Sequence, residues 1–428
     1  MKKKLIGISL LAISLMSQGA EISLKEAIEK ATKNNYEMKS VKKDIANIKL
    51  QKKQAYKAVL PKVDYSGSYA KMQEKMDPTE SNSDNLYQHS INLTQAIYNG
   101  GNMWTAIKIA GIYDGMAGYN LLAKKDEIEI QVIESYVGII KLEKQLEILK
   151  NSLKEIEGNY KKVKEFYELG MVTKTSLLEM EYSKIELESN IIAIENNILI
   201  SKLRFKNDLG INESEKIELK DLKLDNIKEN GRELEEDIKV ATKNNLNIKL
   251  LEMNLKAQKQ NEKIAKSKLL PKINLQFSYA SPNKMTGKAY ELTNSIKLDD
   301  WEWSAGISFS MNLWDWGSNI DGVSIEKNNT GKMEYSKKQN ENNIKLGIRS
   351  LYYEMERLTK LLEAKERGVL SAKENYEMEK EKLEEKITTT TDFLAAENRL
   401  RQSEIDILET KMDYFVAKEK YNNMIGEN

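Results

Sequence analysis

Three short strings recur in this chain at one fixed distance: ATKNN at residues 31–35 and 241–245, LPK at 60–62 and 270–272, and SYA at 68–70 and 278–280. A constant offset of 210 positions with no gap means that one structural unit is present twice, so the order of elements in one half constrains the other. Each unit opens with a short amphipathic helix; in Ser23–Asn35, Leu24, Ala27, Ile28 and Ala31 share one side. A second helix follows, from about Tyr36 to Val59 in the first copy and Leu246 to Leu270 in the second. Each stops at a proline, Pro61 or Pro271, because proline has no amide hydrogen to continue the helix.

Beyond each proline the period of the apolar residues changes from helical to two. Strands are expected at about 62–72 and 88–98 in the first half and at about 272–281 and 301–314 in the second, separated by polar loops at Glu74–Asn85 and Ser281–Asp300. The clearest is WEWSAGISFSMNL. Trp301, Trp303, Ala305, Ile307, Phe309, Met311 and Leu313 fall on one face, and Glu302, Ser304, Gly306, Ser308, Ser310 and Asn312 on the other. Thirteen residues tilted by ~40° rise about 30 Å, close to the hydrocarbon thickness of a bilayer. Aromatic residues bracket both ends, with Trp314 and Trp316 following the strand, which matches a membrane girdle. Trp301, Trp303, Ile307, Phe309 and Trp314, with Phe277 and Tyr279 on the neighbouring strand, are therefore expected to face lipid. Four such strands in two hairpins cannot close a barrel, which takes about eight, and open edges are not tolerated in lipid. Several chains must pool their strands.

After each hairpin runs a long proline-free helical pattern, Asn102 to about Leu169 and Ser318 to about Lys386, followed by a turn and a returning helix, Thr173–Leu209 and Thr389 to about Met424. At ~1.5 Å per residue the long helices reach about 100 Å. In the last helix Phe393, Leu400, Ile407, Tyr414 and Tyr421 recur every seven residues; in its earlier copy Leu178, Ile185, Ile192 and Leu199 do the same. Sevenfold spacing predicts left-handed coiling and close packing against neighbours. The chain thus divides into residues 1–20, a first repeat 21–209, an intervening segment 210–231 of ambiguous period, and a second repeat 232–428.

Residues 1–20, with Lys2, Lys3 and Lys4 ahead of an apolar run, read as a secretory signal peptide. The absence of cysteine excludes disulfides, thiolate metal sites and lipidation on cysteine. Lysine and arginine number 67 against 66 aspartates and glutamates, interspersed along helical patterns, which argues against a nucleic-acid partner. No phosphate-binding glycine loop and no paired acid and base appear, so neither an enzyme nor a bound cofactor is expected.

The duplicated order, the prolines before the strands, the strand-to-helix turns QAIYNGG (Gln95–Gly101) and MNLWDWGSN (Met311–Asn319), and the helix-tip motifs GMVTKTSLLEME (Gly170–Glu181) and KITTTTDFLAAE (Lys386–Glu397) together resemble the TolC family of outer-membrane channel proteins. The resemblance covers essentially all of residues 21–428. It implies a mostly α fold with a membrane β-barrel part: a homotrimer whose twelve-stranded β-barrel in outer-membrane lipid continues into a periplasmic α-helical barrel. It further implies a passive exit duct for a tripartite efflux or type I secretion system, opened when a periplasmic adaptor (membrane fusion) protein and an inner-membrane RND or ABC transporter dock. By the same resemblance Asp392 matches the family's constriction aspartate, and Ala395 stands where a second aspartate can occur. Thr388 takes the place of an arginine, and Thr175 and Ser176 match a Thr-Asp pair, so this periplasmic gate is less acidic than the family's pattern. The competing reading is a coiled-coil scaffold or surface adhesin that conducts nothing.

Overall fold

The computed structural model describes residues 21–77, 80–222, 231–281, 284–286 and 301–426, with backbone only for 72–77, 80–87 and 284–286. The expected signal peptide lies outside the described residues. The chain forms two compact units that cut across the repeats. One holds the described residues of Met1–Ser40, Ala123–Asn245 and Asn343–Asn428; the other holds Val41–Leu122 and Leu246–Asn342.

Helices α1 (Leu24–Asn34) and α2 (Tyr36–Lys57) recur as α5 (Leu234–Asn244) and α6 (Leu246–Ser267). Ser23 caps α1 in a reciprocal box with Glu26, satisfying two amides that a helix start leaves unpaired. Glu233, its counterpart before α5, makes no side-chain cap bond. The second unit carries an antiparallel sheet in the order β2-β3-β5-β7, where β2 is Lys62–Asp77, β3 Glu80–Asn99, β5 Lys272–Ala280 and β7 Glu302–Ser310. A short β6, Lys284–Thr286, pairs with β3 at Tyr87–Asn85. The pairing of β3 with β5 joins the two expected hairpins into one sheet.

Register decides the faces. Asp64, Asn92, Ser278 and Ser304 lie in one row across the four strands, and Tyr65, Ile91, Tyr279 and Trp303 in the next. The alternations are thereby in phase: one face is polar, mostly hydroxyl and amide with Lys62, Asp64 and Glu302, and the other is largely aliphatic and aromatic. On the polar face Ser278 Oγ donates to Asn92 Oδ1 at 2.8 Å, and Asn92 Nδ2 donates to Ser90 Oγ at 3.0 Å. On the other face Tyr279 stacks on Trp301 with ring centroids 4.8 Å apart, and Phe277 on Trp303 at 6.4 Å. The path ends at β2 and β7, so the sheet is not closed within one chain.

Three strand expectations are corrected. The polar stretch Glu74–Asn85, expected as a loop, is mostly hairpin: Lys75 pairs with Ser81 and Asp77 with Glu80. Main-chain hydrogen bonds to the opposite strand satisfy that backbone whatever the side chains are, so polar composition did not mark the strand end. Likewise β6 stands where only loop was expected. The strand expected over 301–314 stops at Ser310, whose partner is Lys272, next to Pro271. Beyond it β5 has no further residue to offer, and Met311–Trp314 carry no strand.

The long helices are α3 (Asn102–Glu168) and α7 (Ser318–Glu384), and the returning helices α4 (Lys174–Leu209) and α8 (Thr390–Ile425). Among the described residues no helix is long and apolar enough to cross a membrane. Asn99 and Asp315 start the long helices by accepting amide hydrogens, from Met103 at 3.2 Å and from Asn319 at 3.0 Å. Gly100, at φ 67°, also lets the chain pass Ser267: a Cβ there would lie 2.4 Å from its carbonyl oxygen. In the first unit Leu149, Ile156 and Val163 of α3, Met180, Leu187 and Ile191 of α4, Tyr376 and Leu383 of α7, and Phe393 of α8 form one buried cluster. Their sevens and fours are the spacing of coiled helices. The segment after α4 supplies β4 (Glu218–Leu219), which pairs in parallel with β1 (Glu21–Ile22). Tyr136 of α3 holds that pair, its one hydroxyl proton shared between the Ile22 carbonyl at 2.9 Å and the Lys220 carbonyl at 2.5 Å.

Candidate functional site

Both helical hairpins turn by the same local device. After α3, Gly170 adopts φ 73°, its amide donating to the Tyr167 carbonyl and that of Met171 to Phe166 at 2.8 Å. After α7, Lys386 takes the same left-handed conformation, φ 61°, with Ile387 donating to the Lys382 carbonyl at 2.8 Å. Such a turn closes off the last carbonyls of a helix. Glycine adopts it freely; lysine is strained there, and its ammonium stands over the Phe166 ring, 4.5 Å from the centroid. Threonine then caps each returning helix. Thr173 accepts from the Ser176 amide at 3.2 Å, and Thr389 from the Asp392 amide at 3.1 Å.

The expected gate residues divide between the two turns. Asp392 is exposed at the third position of α8, its carboxylate accepting from the Thr389 hydroxyl at 2.7 Å. A carboxylate there also faces the positive end of the helix dipole, so in a single chain Asp392 serves the helix start. Ser176 takes the same place in α4, and its hydroxyl lies 3.1 Å from that of Thr173. Thr388 donates to Glu379 of α7 at 2.6 Å, one of two bonds, the first from Lys382, that hold the Glu379 carboxyl below its usual range. Thr175 is exposed and lines a cavity of about 560 Å³ between α4 and α8, with Leu178, Tyr182 and Leu394 as its apolar walls. Across it Thr391 of α8 donates to Glu179 of α4 at 2.9 Å, tying the two tips together.

Sequence reasoning missed the most buried charge near the tip. Glu397 of α8 is 4% exposed, accepts a hydrogen bond from Ser152 of α3, and is ion-paired with Arg401 at 2.8 Å. Burial pushes its carboxyl up to about 7, and the Arg401 guanidinium offsets only part of that. The four-residue spacing of Glu397 and Arg401 was visible; that Ser152 of the other hairpin faces them was not.

In the sheet, Trp303, Ile307, Phe309 and Trp314 are exposed, and Trp301, Phe277 and Tyr279 each keep roughly two fifths of their surface open. The register gathers Trp303, Ile307, Phe309, Phe277 and Tyr279 on one side of the sheet; Trp301, just before β7, stacks on Tyr279, and Trp314 lies past the strand's other end. On the opposite side the middle rows carry Ser66, Ser90, Asn92, Ser278 and Ser304, with acidic Asp64 and Glu302 at their two ends.

Residues 27–210 and 238–427 match the family described as outer membrane efflux protein. The chain belongs to that family, whose members are channels rather than enzymes, and it is an outer-membrane exit duct for efflux. Its fold is similar to that of CusC, whose structures concern transmembrane channel formation, with TM-score 0.77 and 14% identity over 96% of this chain and 93% of that one. It is also similar to the Campylobacter jejuni CmeC outer membrane channel, with TM-score 0.77 and 16% identity over 94% and 85%. A further likeness is to the open state of the Neisseria gonorrhoeae MtrE outer membrane channel, with TM-score 0.73 and 14% identity over 94% and 88%. No curated protein matches the chain by sequence.

Proposed function

We propose that three copies of this chain pool their sheets into a twelve-stranded barrel in the outer membrane, with the helices continuing the passage into the periplasm. The observation that carries this reading is the four-stranded sheet itself. It has one apolar and one polar face and two unpaired edges, an arrangement that lipid tolerates only when further strands close it. A second support is the exposed apolar stripe on α4, Leu178, Ile185, Ile192 and Leu199, which a neighbouring copy would cover. The apolar sheet face meets lipid with Trp301, Trp303, Ile307, Phe309, Trp314, Phe277 and Tyr279, and the polar face lines the lumen. Asp392, Thr388, Thr175 and Ser176 surround the periplasmic opening, where a periplasmic adaptor protein and an inner-membrane RND or ABC transporter engage the duct. The energy for transport comes from that transporter, and this chain conducts passively.

The test compares neighbouring residues of β7. Phe309→Lys places a charge in the hydrocarbon and is expected to destabilise membrane assembly by ~2–4 kcal/mol, whereas Ser308→Lys points into water and costs much less. Folding into vesicles, followed by native mass, reads both the assembly and its trimeric state. Equal effects of the two substitutions, or a monomer with its strands intact, would refute the reading.

A further inference from the structure

The helical tips contain one buried ionisable contact that joins the two hairpins of a chain. Ser152 lies on α3, sixteen residues before that helix ends at Glu168, and Glu397 lies eight residues into α8. One carboxylate oxygen of Glu397 accepts from the Ser152 hydroxyl, and the other is paired with Arg401, which also donates to Asn398 at 2.6 Å. Arg401 lines the cavity between α4 and α8, so the state of Glu397 bears on the α3 contact and on the α4 side together. We propose that Glu397 is a proton-responsive fastener of the tip, whose gain or loss of one proton shifts the packing of the first helical hairpin against the second. The inference concerns the packing within one chain and holds whether or not the tip is the gate of a trimer.

The surroundings decide the direction. On α8 itself the charged groups facing Glu397 are Arg401, which favours the carboxylate, and Glu404, which opposes it. From α7 come Tyr376, whose ring packs on Phe393, and Lys380. That lysine is committed to Glu155 of α3 at 2.7 Å, so it leaves no positive charge free for Glu397. From α4 come Glu179 and Glu186, both lining the cavity beside Arg401. Burial, with a smaller push from Glu404, outweighs the single arginine, and the packed arrangement holds its proton to about pH 7. An arrangement that exposes Glu397 to water returns it to the ordinary carboxylate range and releases that proton to solvent.

The sign follows from linkage. A carboxyl raised in the packed state stabilises packing fully below its ordinary value and loses that contribution as pH rises through about 7. Acid therefore fastens the tip and mild alkali loosens it. Between pH 5 and pH 8 the ratio of packed to loosened tips is expected to fall by at most about 10²-fold.

The chain has no cysteine, so pairs of labels can be introduced cleanly. Spin labels at the exposed positions Lys154 and Arg399 report the α3 to α8 distance in the full-length protein in lipid, with labelled chains diluted into unlabelled ones to isolate distances within a chain. Wild type is expected to gain a longer-distance population between pH 6 and pH 8.5. Glu397→Gln, permanently neutral, should remain packed throughout, and the infrared band of a protonated carboxyl that titrates near neutrality should disappear with it. Arg401→Met removes the counter-charge from the packed carboxylate and should move the loosening to lower pH. An unchanged wild-type distance from pH 5 to pH 8.5, or a wild-type profile retained in Glu397→Gln, overturns the proposal. If Glu397→Gln does not fold, an unshifted midpoint in Arg401→Met does the same.

Discussion

The two helical hairpins share a turn, a threonine cap and a seven-residue code, and they bury matching positions of their returning helices, yet α4 alone carries a second apolar stripe that stays exposed. Positions correspond with a shift of 216, so that Thr173 of α4 matches Thr389 of α8. On α8 the stripe Phe393, Leu400, Ile407, Tyr414 and Tyr421 is buried or half-buried within the chain. On α4 the stripe Leu178, Ile185, Ile192 and Leu199 lies one position out of phase with it and stays exposed, while Met180, Leu187, Ile191, Ile198 and Phe205 fill the interior. A heptad therefore announces that a helix coils against something; it does not say whether the partner is the same chain. The apolar stripe of α8 is spent on intrachain packing, whereas α4 is left with a second apolar face.

Breaking the inner stripe should have the largest effect. Phe393 has no exposed surface, and Phe393→Ala is expected to cost ~3–5 kcal/mol in denaturant unfolding, whereas Leu177→Ala at the matching, half-buried position of α4 costs less than half as much. Comparable losses at the two positions would mean that Leu177 is as tightly packed as Phe393. Next comes the outer stripe. Ile192→Lys leaves helix content unchanged but sets a charge on the face that a second copy is proposed to cover, and native mass should show assembly weakened by ~2 kcal/mol or more per chain. An intact assembly of normal stability would remove α4 from the interface.

A smaller effect separates the two caps. Asp392 and Ser176 hold the same position, but only Asp392 adds charge. Asp392→Asn is expected to lower the preference for cations and the block by multivalent cations in planar-bilayer recordings, because in the proposed trimer three carboxylates in a narrow passage would focus rather than screen their field. Ser176→Asp should raise both. Conductance properties untouched by either would leave Asp392 with its helix-start role alone. The least change belongs to Lys386→Gly, which makes the second turn like the first. Relief of left-handed strain, roughly 1 kcal/mol, is nearly offset by loss of the ammonium over Phe166, and the net change in unfolding free energy should stay within a few tenths. A loss above ~1 kcal/mol would show that the lysine clamps the tip.

Much of this architecture was legible because it is written in local chemistry. Pro61 and Pro271 stop helices, Thr173 and Thr389 start them, Gly170 and Gly210 end them, and period two gives way to period three and a half wherever strand gives way to helix. Those rules act within a few residues, and the repeat states them twice, so the order of the helices and the ends of the long ones came out of the sequence within two or three positions.

What only the tertiary structure decided depends on partners far apart in the chain. The pairing of β3 with β5 makes one sheet of two hairpins, and Lys272 opposite Ser310 ends β7 before the alternation of its residues ends. The gathering of α3, α4, α7 and α8 around one buried cluster, and the meeting of Ser152 with Glu397, rest on contacts between residues about two hundred positions apart. Periodicity reports that a side is apolar or that a charge lies on it. Which surface arrives to cover that side, and so whether a glutamate stays an ordinary solvated acid or becomes a buried one near pH 7, is settled by packing.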